Sequence, residues 1–214
     1  MPKISLCDLP NNGKDTNKRH EERREMIDTI LAADTAVLLF IQEHIRCGLL
    51  DFIMVFFSRI GDAGAVWLVS GMVLFISRKY RKAGFDIIVA VGICWIINEI
   101  LKNIAARPRP FNELEQLTTV IVNLPSSLSF PSGHTCSSFA AAYVYARCFE
   151  KRGAWAYTVA VLISVSRAYI GVHYPTDIIA GAVLGTAGAA VVYSLSKKYV
   201  KIPSLTEEDS YEHE

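Results

Sequence analysis

Almost nothing in the overall charge of this chain selects a partner. Its 22 basic and 21 acidic residues balance to +1 over 214 residues, so no net field draws it to nucleic acid, and no basic stripe interleaved with aromatics takes that role. Cysteine is sparse and unpatterned: Cys7, Cys47, Cys94, Cys136 and Cys148 lack metal-type spacing, and an odd number cannot all pair within one chain. They read as packing residues. No segment has the layout of a cleaved signal peptide, and no internal repeat is visible. Basic residues are also missing from two connecting stretches, 111–130 and 168–177, which hold no lysine or arginine at all.

What the chain has instead is apolar length. Hydrophobic residues make up 51% of it and mean hydropathy is +0.28. Five long apolar segments, Ala63 to Ser77, Gly84 to Leu101, His134 to Phe149, Ala154 to Val172 and Ile178 to Ser196, have about the length that crosses a bilayer. Inside a membrane each backbone N–H must find its acceptor within its own segment, so the expected fold is all-α: a polytopic transmembrane bundle of five to six helices. Soluble buried helices are the competing reading, but this small chain has too little polar surface to cover them. Met26 to Phe57 is interrupted by Asp28, Asp34, Glu43 and His44. It reads either as a sixth crossing, Thr29 to Ile45, followed by an amphipathic helix over Leu49 to Phe57, or as an interfacial segment throughout. Residues 1–25 and 201–214 read as polar, solvated tails around a membrane-embedded domain at 26–200. Gly181 and Gly185 have the small-xxx-small spacing of closely packed membrane helices.

Charge in the connections sets an orientation. Arg78 to Lys82, Lys151 with Arg152, and Lys197, Lys198 and Lys201 follow alternate helices and so share one face, which the positive-inside rule makes cytoplasmic. Lys102, Arg107 and Arg109 fall on the opposite face, where the connecting stretches 111–130 and 168–177 hold no lysine or arginine, and a bound anion is the reason to expect them there.

Three patches meet at that outer face. In "LKNIAARPRP", Lys102 ends a helix and Arg109 follows beyond a proline. In "FPSGHTCSSF", Ser132 is a candidate N-cap, Gly133 lets the backbone approach a ligand, and His134 points into the same space; the first-turn N–H groups suit an anion. In "SRAYIGVHYPTD", Arg167 closes one helix, Gly171 suits its end, His173 lies in the loop, and Pro175 and Asp177 begin the last helix. A facial metal site of two histidines and Asp177 is disfavoured by the three cations beside it. Phosphoryl chemistry fits the set, because guanidinium, ammonium and backbone N–H donors hold the oxygens on which charge develops. One neutral histidine can attack phosphorus and a protonated one can serve the leaving oxygen, with Asp177 holding a ring N–H; no metal and no cofactor is required.

These residues resemble the signature of the type 2 phosphatidic acid phosphatases, relatives of the vanadium haloperoxidases. That signature reads Lys102 to Arg109-Pro110, then Pro131-Ser132-Gly133-His134, then Ser166-Arg167, His173 and Asp177, with every position matched over a region of roughly residues 50–196. The resemblance implies an acid phosphatase/haloperoxidase-like core. It makes His173 the nucleophile that carries a phosphohistidine, His134 the acid that later activates water, and Asp177 the residue that orients His173. Lys102, Arg109, Arg167, Ser132 and Gly133 would bind phosphate. Arg107 lies outside the signature and reads as a second phosphate contact or an interface anchor; Tyr169 and Tyr174 read as interfacial aromatics. The expected substrate is a membrane lipid phosphate met at the extracytoplasmic face of the cell membrane. Undecaprenyl diphosphate is favoured over phosphatidylglycerophosphate or phosphatidate, and no residue identifies a protein partner. A haloperoxidase or a transporter is the expectation from another class. Charges clustered at one end of the bundle, rather than at mid-membrane, argue against transport.

Overall fold

A computed structural model of the chain describes residues 12–120 and 124–202, without the side chains of residues 12–17, Glu150 and Arg152. Residues 1–11 and 203–214, the outer parts of the two expected tails, lie outside the described residues. The described chain is helical: α1 (Asn12–Phe40), α2 (Gly48–Ile60), α3 (Ala65–Ile76), α4 (Arg81–Ala105), the single turn α5 (Pro110–Glu113), α6 (Gly133–Gly153), α7 (Trp155–Tyr169) and α8 (Pro175–Tyr199). Each of the five long apolar segments read from the sequence becomes one of the helices α3, α4, α6, α7 and α8.

Among the described residues, length and apolarity single out two stretches as able to cross a membrane, Arg78–Glu113, built on α4, and α8. A third is available if α2 and α3, bent by 46° at their junction, act as one broken span. The apolar side chains also face the way a bilayer demands. Ile96, Ile100 and Ile104 on α4, Val161 and Val165 on α7, and Ile179, Val183 and Val191 on α8 are all exposed. Polar and charged groups, among them Asn98, Lys102, Ser132, Arg167 and Asp177, are the buried ones at one end. An exterior this apolar over a polar interior end is the inverse of a water-soluble bundle.

The N-terminal region differs from expectation. Residues 12–25, expected as part of a solvated tail, are helical, and their described side chains stand exposed. Local i,i+4 pairing such as Lys18 with Glu22 at 3.8 Å supports that polar helix. Beyond it, α1 turns Asp34 and Leu38 inward, both buried, and ends in a π-helical turn over Ile41–Ile45. The amphipathic helix expected over Leu49 to Phe57 is α2, which leaves Leu49 and Phe52 exposed.

α6 is the hub, packing on α4, α7 and α8. Its buried face is built of Ala140, Ala141, Ala142 and Val144 against Ala156, Ala160 and Ala189 of its neighbours, and such small residues bring backbones close. The glycines singled out in the sequence serve this contact: a Cβ on Gly181 would lie 2.7 Å from the Ser132 carbonyl oxygen, and one on Gly185 2.2 Å from that of Cys136. Trp67 plugs the core between α3 and α6, its indole N–H donating to Ser138 Oγ at 2.9 Å.

Chain direction alternates, so α4 and α7 end where α6 and α8 begin. At the opposite end Tyr80 meets Phe149 with ring centroids 5.4 Å apart, and Lys82 donates to Ser196. The three basic clusters therefore gather at one end of the bundle and the motif residues at the other. Gly185→Ala is expected to cost about 1–3 kcal/mol by overpacking against the α6 backbone. Gly92→Ala, with nothing within 4 Å of its would-be Cβ, should leave stability unchanged or slightly raised. Thermal unfolding midpoints in detergent compare the two.

Candidate active site

Backbone signals bring the three motifs to one cavity. α4 closes at Ala106, a left-handed residue with φ 48°, which turns the chain sharply after Lys102. Pro110 starts the short helix α5 and Arg109 is its N-cap residue, in extended conformation. Ser132 caps α6 as expected, its hydroxyl accepting from Thr135 N at 3.5 Å. Gly171, at φ 75°, lets the chain leave α7 and swing His173 back over Arg167, whose carbonyl accepts the His173 N–H at 3.3 Å. Pro175 then opens α8, and Asp177 reaches back from N3 to the Tyr174 N–H at 2.9 Å.

The cavity, about 300 Å³, is lined by Lys102, Arg109, Gly133, His134, Arg167 and His173, with Asp62, Glu99 and Ser127 at its walls. Six of the eight expected site residues thus converge on one space. Asp177 stands directly behind His173.

Arg109 is held in a rigid fork. Its Nε donates to the Ser127 carbonyl at 2.6 Å, Nη2 to Ser127 Oγ at 3.0 Å, and Nη1 to the Val172 carbonyl at 3.0 Å. Nη1 also lies 3.3 Å from His173 Nε2. A guanidinium aimed at Nε2 requires that nitrogen to be the unprotonated one, which puts the ring hydrogen on Nδ1. Nδ1 faces Asp177 Oδ2 and Ser129 Oγ, each at 3.5 Å, while the Ser129 hydroxyl itself donates to Asp177 Oδ2. Burial pushes the His173 pKa down to about 3, with Arg109 and Arg167 acting in the same direction against Asp177. The ring is neutral at pH 7, and its Nε2 lone pair faces the Arg109 guanidinium.

Arg167 donates Nη1 to Ser58 of α2, yet its buried Nε has no partner among the described residues. A buried donor left open costs free energy, and an anion in the adjoining cavity would repay it. Lys102 pairs with Glu99 at 2.9 Å. His134, on the first turn of α6, directs Nε2 to Asp62 Oδ1 at 2.8 Å.

Several expectations are corrected. Ser132 does not offer its N–H to the cavity: it is fully buried and donates instead to the Asp177 carbonyl at 3.0 Å, tying α6 to the first turn of α8. Gly133 alone of that pair lines the cavity. Arg107 is neither a phosphate contact nor an interface anchor, because its two arms are engaged by Asp177 and Asp34, each at 2.7 Å. Tyr174 and Tyr169 are buried rather than interfacial. The Tyr174 ring lies 3.9 Å under the Arg107 guanidinium, and Tyr169 donates its hydroxyl to Asp51 at 2.7 Å. Sequence reasoning missed Asp34, Asp62, Ser127 and Ser129. The two serines lie in "PSSLSF" immediately before the Pro-Ser-Gly-His motif, and that crowding of hydroxyls was the one available signal.

Fold and site together define a helical bundle with a histidine pair and buried cations at one end. A model of the PAP2 superfamily matches residues 83–201, more than half of the chain, and the chain belongs to that family. Among its relatives, the undecaprenyl-diphosphatase of Sulfolobus acidocaldarius is 34% identical over 64% of this chain, and the match spans just 66% of that relative's length. The lipid A 4'-phosphatase of Bacteroides thetaiotaomicron is 29% identical over 81% of each chain. Among solved structures, the transmembrane PAP2-type phosphatidylglycerolphosphate phosphatase of Bacillus subtilis aligns with a TM-score of 0.65 at 26% identity, covering 81% of this chain and 89% of that one. A bacterial vanadium-dependent iodoperoxidase, at 17% identity and a TM-score of 0.57 over 95% of this chain and 52% of its own, shares the fold alone.

The open Arg167 Nε makes a measurable claim. Inorganic phosphate at about a hundredfold its dissociation constant should stabilise the folded protein by about 2.7 kcal/mol. Arg167→Gln should abolish the rise in unfolding midpoint, and a rise that survives would place the anion elsewhere.

Proposed function

We propose that this chain is a metal-independent, integral-membrane lipid phosphatase that works through a phosphohistidine. The observation that carries the reading is the neutral His173, with Nε2 turned to Arg109 in a cavity that also holds His134, Lys102 and Arg167. In this mechanism Lys102, Arg109, Arg167 and the Gly133 amide hold the phosphate oxygens. Nε2 attacks phosphorus and the bond to the leaving oxygen breaks, while His134 gives that oxygen a proton. Asp177 and Ser129 hold the Nδ1 hydrogen, so the ring keeps its tautomer as positive charge develops. In the second half, water attacks phosphorus while His134 takes its proton, and the P–N bond breaks with its electron pair returning to His173 Nε2. Inorganic phosphate leaves and both histidines are restored.

The reading takes the bundle as five to six membrane helices, which the outward-facing apolar side chains support, with the basic end in the cytoplasm and the site at the extracytoplasmic face of the cell membrane, which the positive-inside rule supports. That location suits a polyprenyl or phospholipid headgroup. Undecaprenyl diphosphate, converted to the monophosphate, is the favoured substrate; a relative bearing that name and the outward-facing site support it. Phosphatidylglycerophosphate is the second reading, supported by the solved phosphatase of similar fold. Phosphatidate is the third.

Phosphate release by the purified protein from all three lipids, with a chelator present, tests both parts. Turnover with one lipid preferred is expected. Activity that appears only on adding a divalent metal would overturn the mechanism, and activation rather than inhibition by vanadate would mean a haloperoxidase. His173→Ala should abolish the phosphoenzyme. His134→Ala should lower the rate by about 10²–10⁴, the usual contribution of a general acid, and most for poor leaving groups. A loss equal across leaving groups would contradict the acid role.

A further inference from the structure

Arg107 and Asp34 form a buried arrangement that the phosphoryl-transfer steps above do not use. Asp34, on α1, accepts the Thr176 N–H on Oδ1 at 3.0 Å and Arg107 Nη2 on Oδ2 at 2.7 Å, and it also accepts the Thr176 hydroxyl. Arg107 Nη1 reaches Asp177 Oδ1 at 2.7 Å and Thr176 Oγ1 at 2.8 Å. Side-chain exposure is 2% for Asp34, 17% for Arg107 and 0% for Asp177. A guanidinium between two buried carboxylates is held by geometry as well as by charge, since its planar fork fits one oxygen of each.

This has a consequence for His173. With Oδ1 of Asp177 taken by Arg107, the carboxylate cannot rotate, and Oδ2 is the oxygen left for Ser129, the Tyr174 amide and His173 Nδ1. Asp34 acts one step further back. By accepting the Thr176 amide it caps the first turn of α8 from another helix, satisfying an N–H that α8 itself cannot. It also fixes the second arm of Arg107. Arg107 is absent from the cavity lining, so it works through Asp177 and not on phosphate. Asp34 lies well before residues 83–201, the segment that matches the family model.

We infer that Arg107 and Asp34 are positioning residues for the His173–Asp177 pair, and that α1 is thereby a component of the active site. The inference rests on the proposed phosphatase reading, and the experiment separates the two. The full chain in detergent is assayed on whichever lipid of the panel the unaltered protein turns over, beside Arg107→Lys and Asp34→Asn. These conservative changes avoid stranding a buried carboxylate, and inorganic phosphate serves as competitive inhibitor. Misplacing the nucleophile should lower kcat by about 100-fold, with KM, the inhibition constant of phosphate and the unfolding midpoint unchanged. Restoring arginine at 107 should restore the rate. Unaltered kcat in both variants would overturn the inference alone. So would a parallel loss of kcat, phosphate inhibition and midpoint, which would make the cluster a plain structural brace. No turnover by the unaltered protein on any lipid would remove the reading on which it stands.

Discussion

Asp177 is a carboxylate taken wholly out of water, and the end of the molecule that holds the candidate site is arranged around satisfying it. An ion in that position is tolerable only when every lone pair has a donor and a counter-charge is near. Its donors come from all parts of the chain: Arg107 from the α4–α5 connection, the Ser129 hydroxyl from the loop before α6, and the Tyr174 amide from the cap of α8. Its own carbonyl receives the Ser132 amide. One desolvated residue thus ties together segments far apart in sequence. His173 inherits its orientation from that convergence, and α6 inherits its register against α8.

Cations around the cavity present the complementary problem. Arg109 spends its fork on Ser127 and Val172, and Arg167 spends one arm on Ser58, so both are fixed before any ligand arrives. Pre-paid orientation of this kind is what makes fixed donors effective toward developing charge. The bundle can keep such groups buried because α6 and α8 approach through Gly181, Gly185 and a run of alanines, leaving the bulky apolar side chains to face outward. Packing and chemistry are divided between the two ends and the two surfaces of the same helices.

The legible parts of the protein were those governed by local rules. Apolar length marked α3, α4, α6, α7 and α8, and the cap at Ser132, the turn at Gly171 and the Pro175 start of α8 followed from residue type at a helix boundary. Lys102, Arg109, His134, Arg167 and His173, singled out because their residue types and spacing have few other uses together, line one cavity. Reasoning failed where a group's partner is distant in sequence. The Ser132 amide suits phosphate by local rules, because the N–H groups at a helix start are free in an isolated helix; here the Asp177 carbonyl takes it. Aromatics near membrane helix ends usually lie at the interface, whereas Asp51 and Arg107 draw Tyr169 and Tyr174 inside. Polar residues 12–25 looked like a tail because nothing apolar marks them, yet they continue the helix that carries Asp34.

The sequence by itself determined the all-helical class, the positions of the apolar segments, the division of basic residues between two ends and the residue types available to the candidate site. Hydropathy, capping and side-chain chemistry act over a few residues and survive being read in one dimension. Only the tertiary structure decided which nitrogen of His173 is unprotonated, which oxygen of Asp177 faces it, and that Arg107 and Asp34 stand behind them. Those outcomes depend on which donors a buried charge meets across the fold, and that is settled when helices distant in sequence close over it and exclude water.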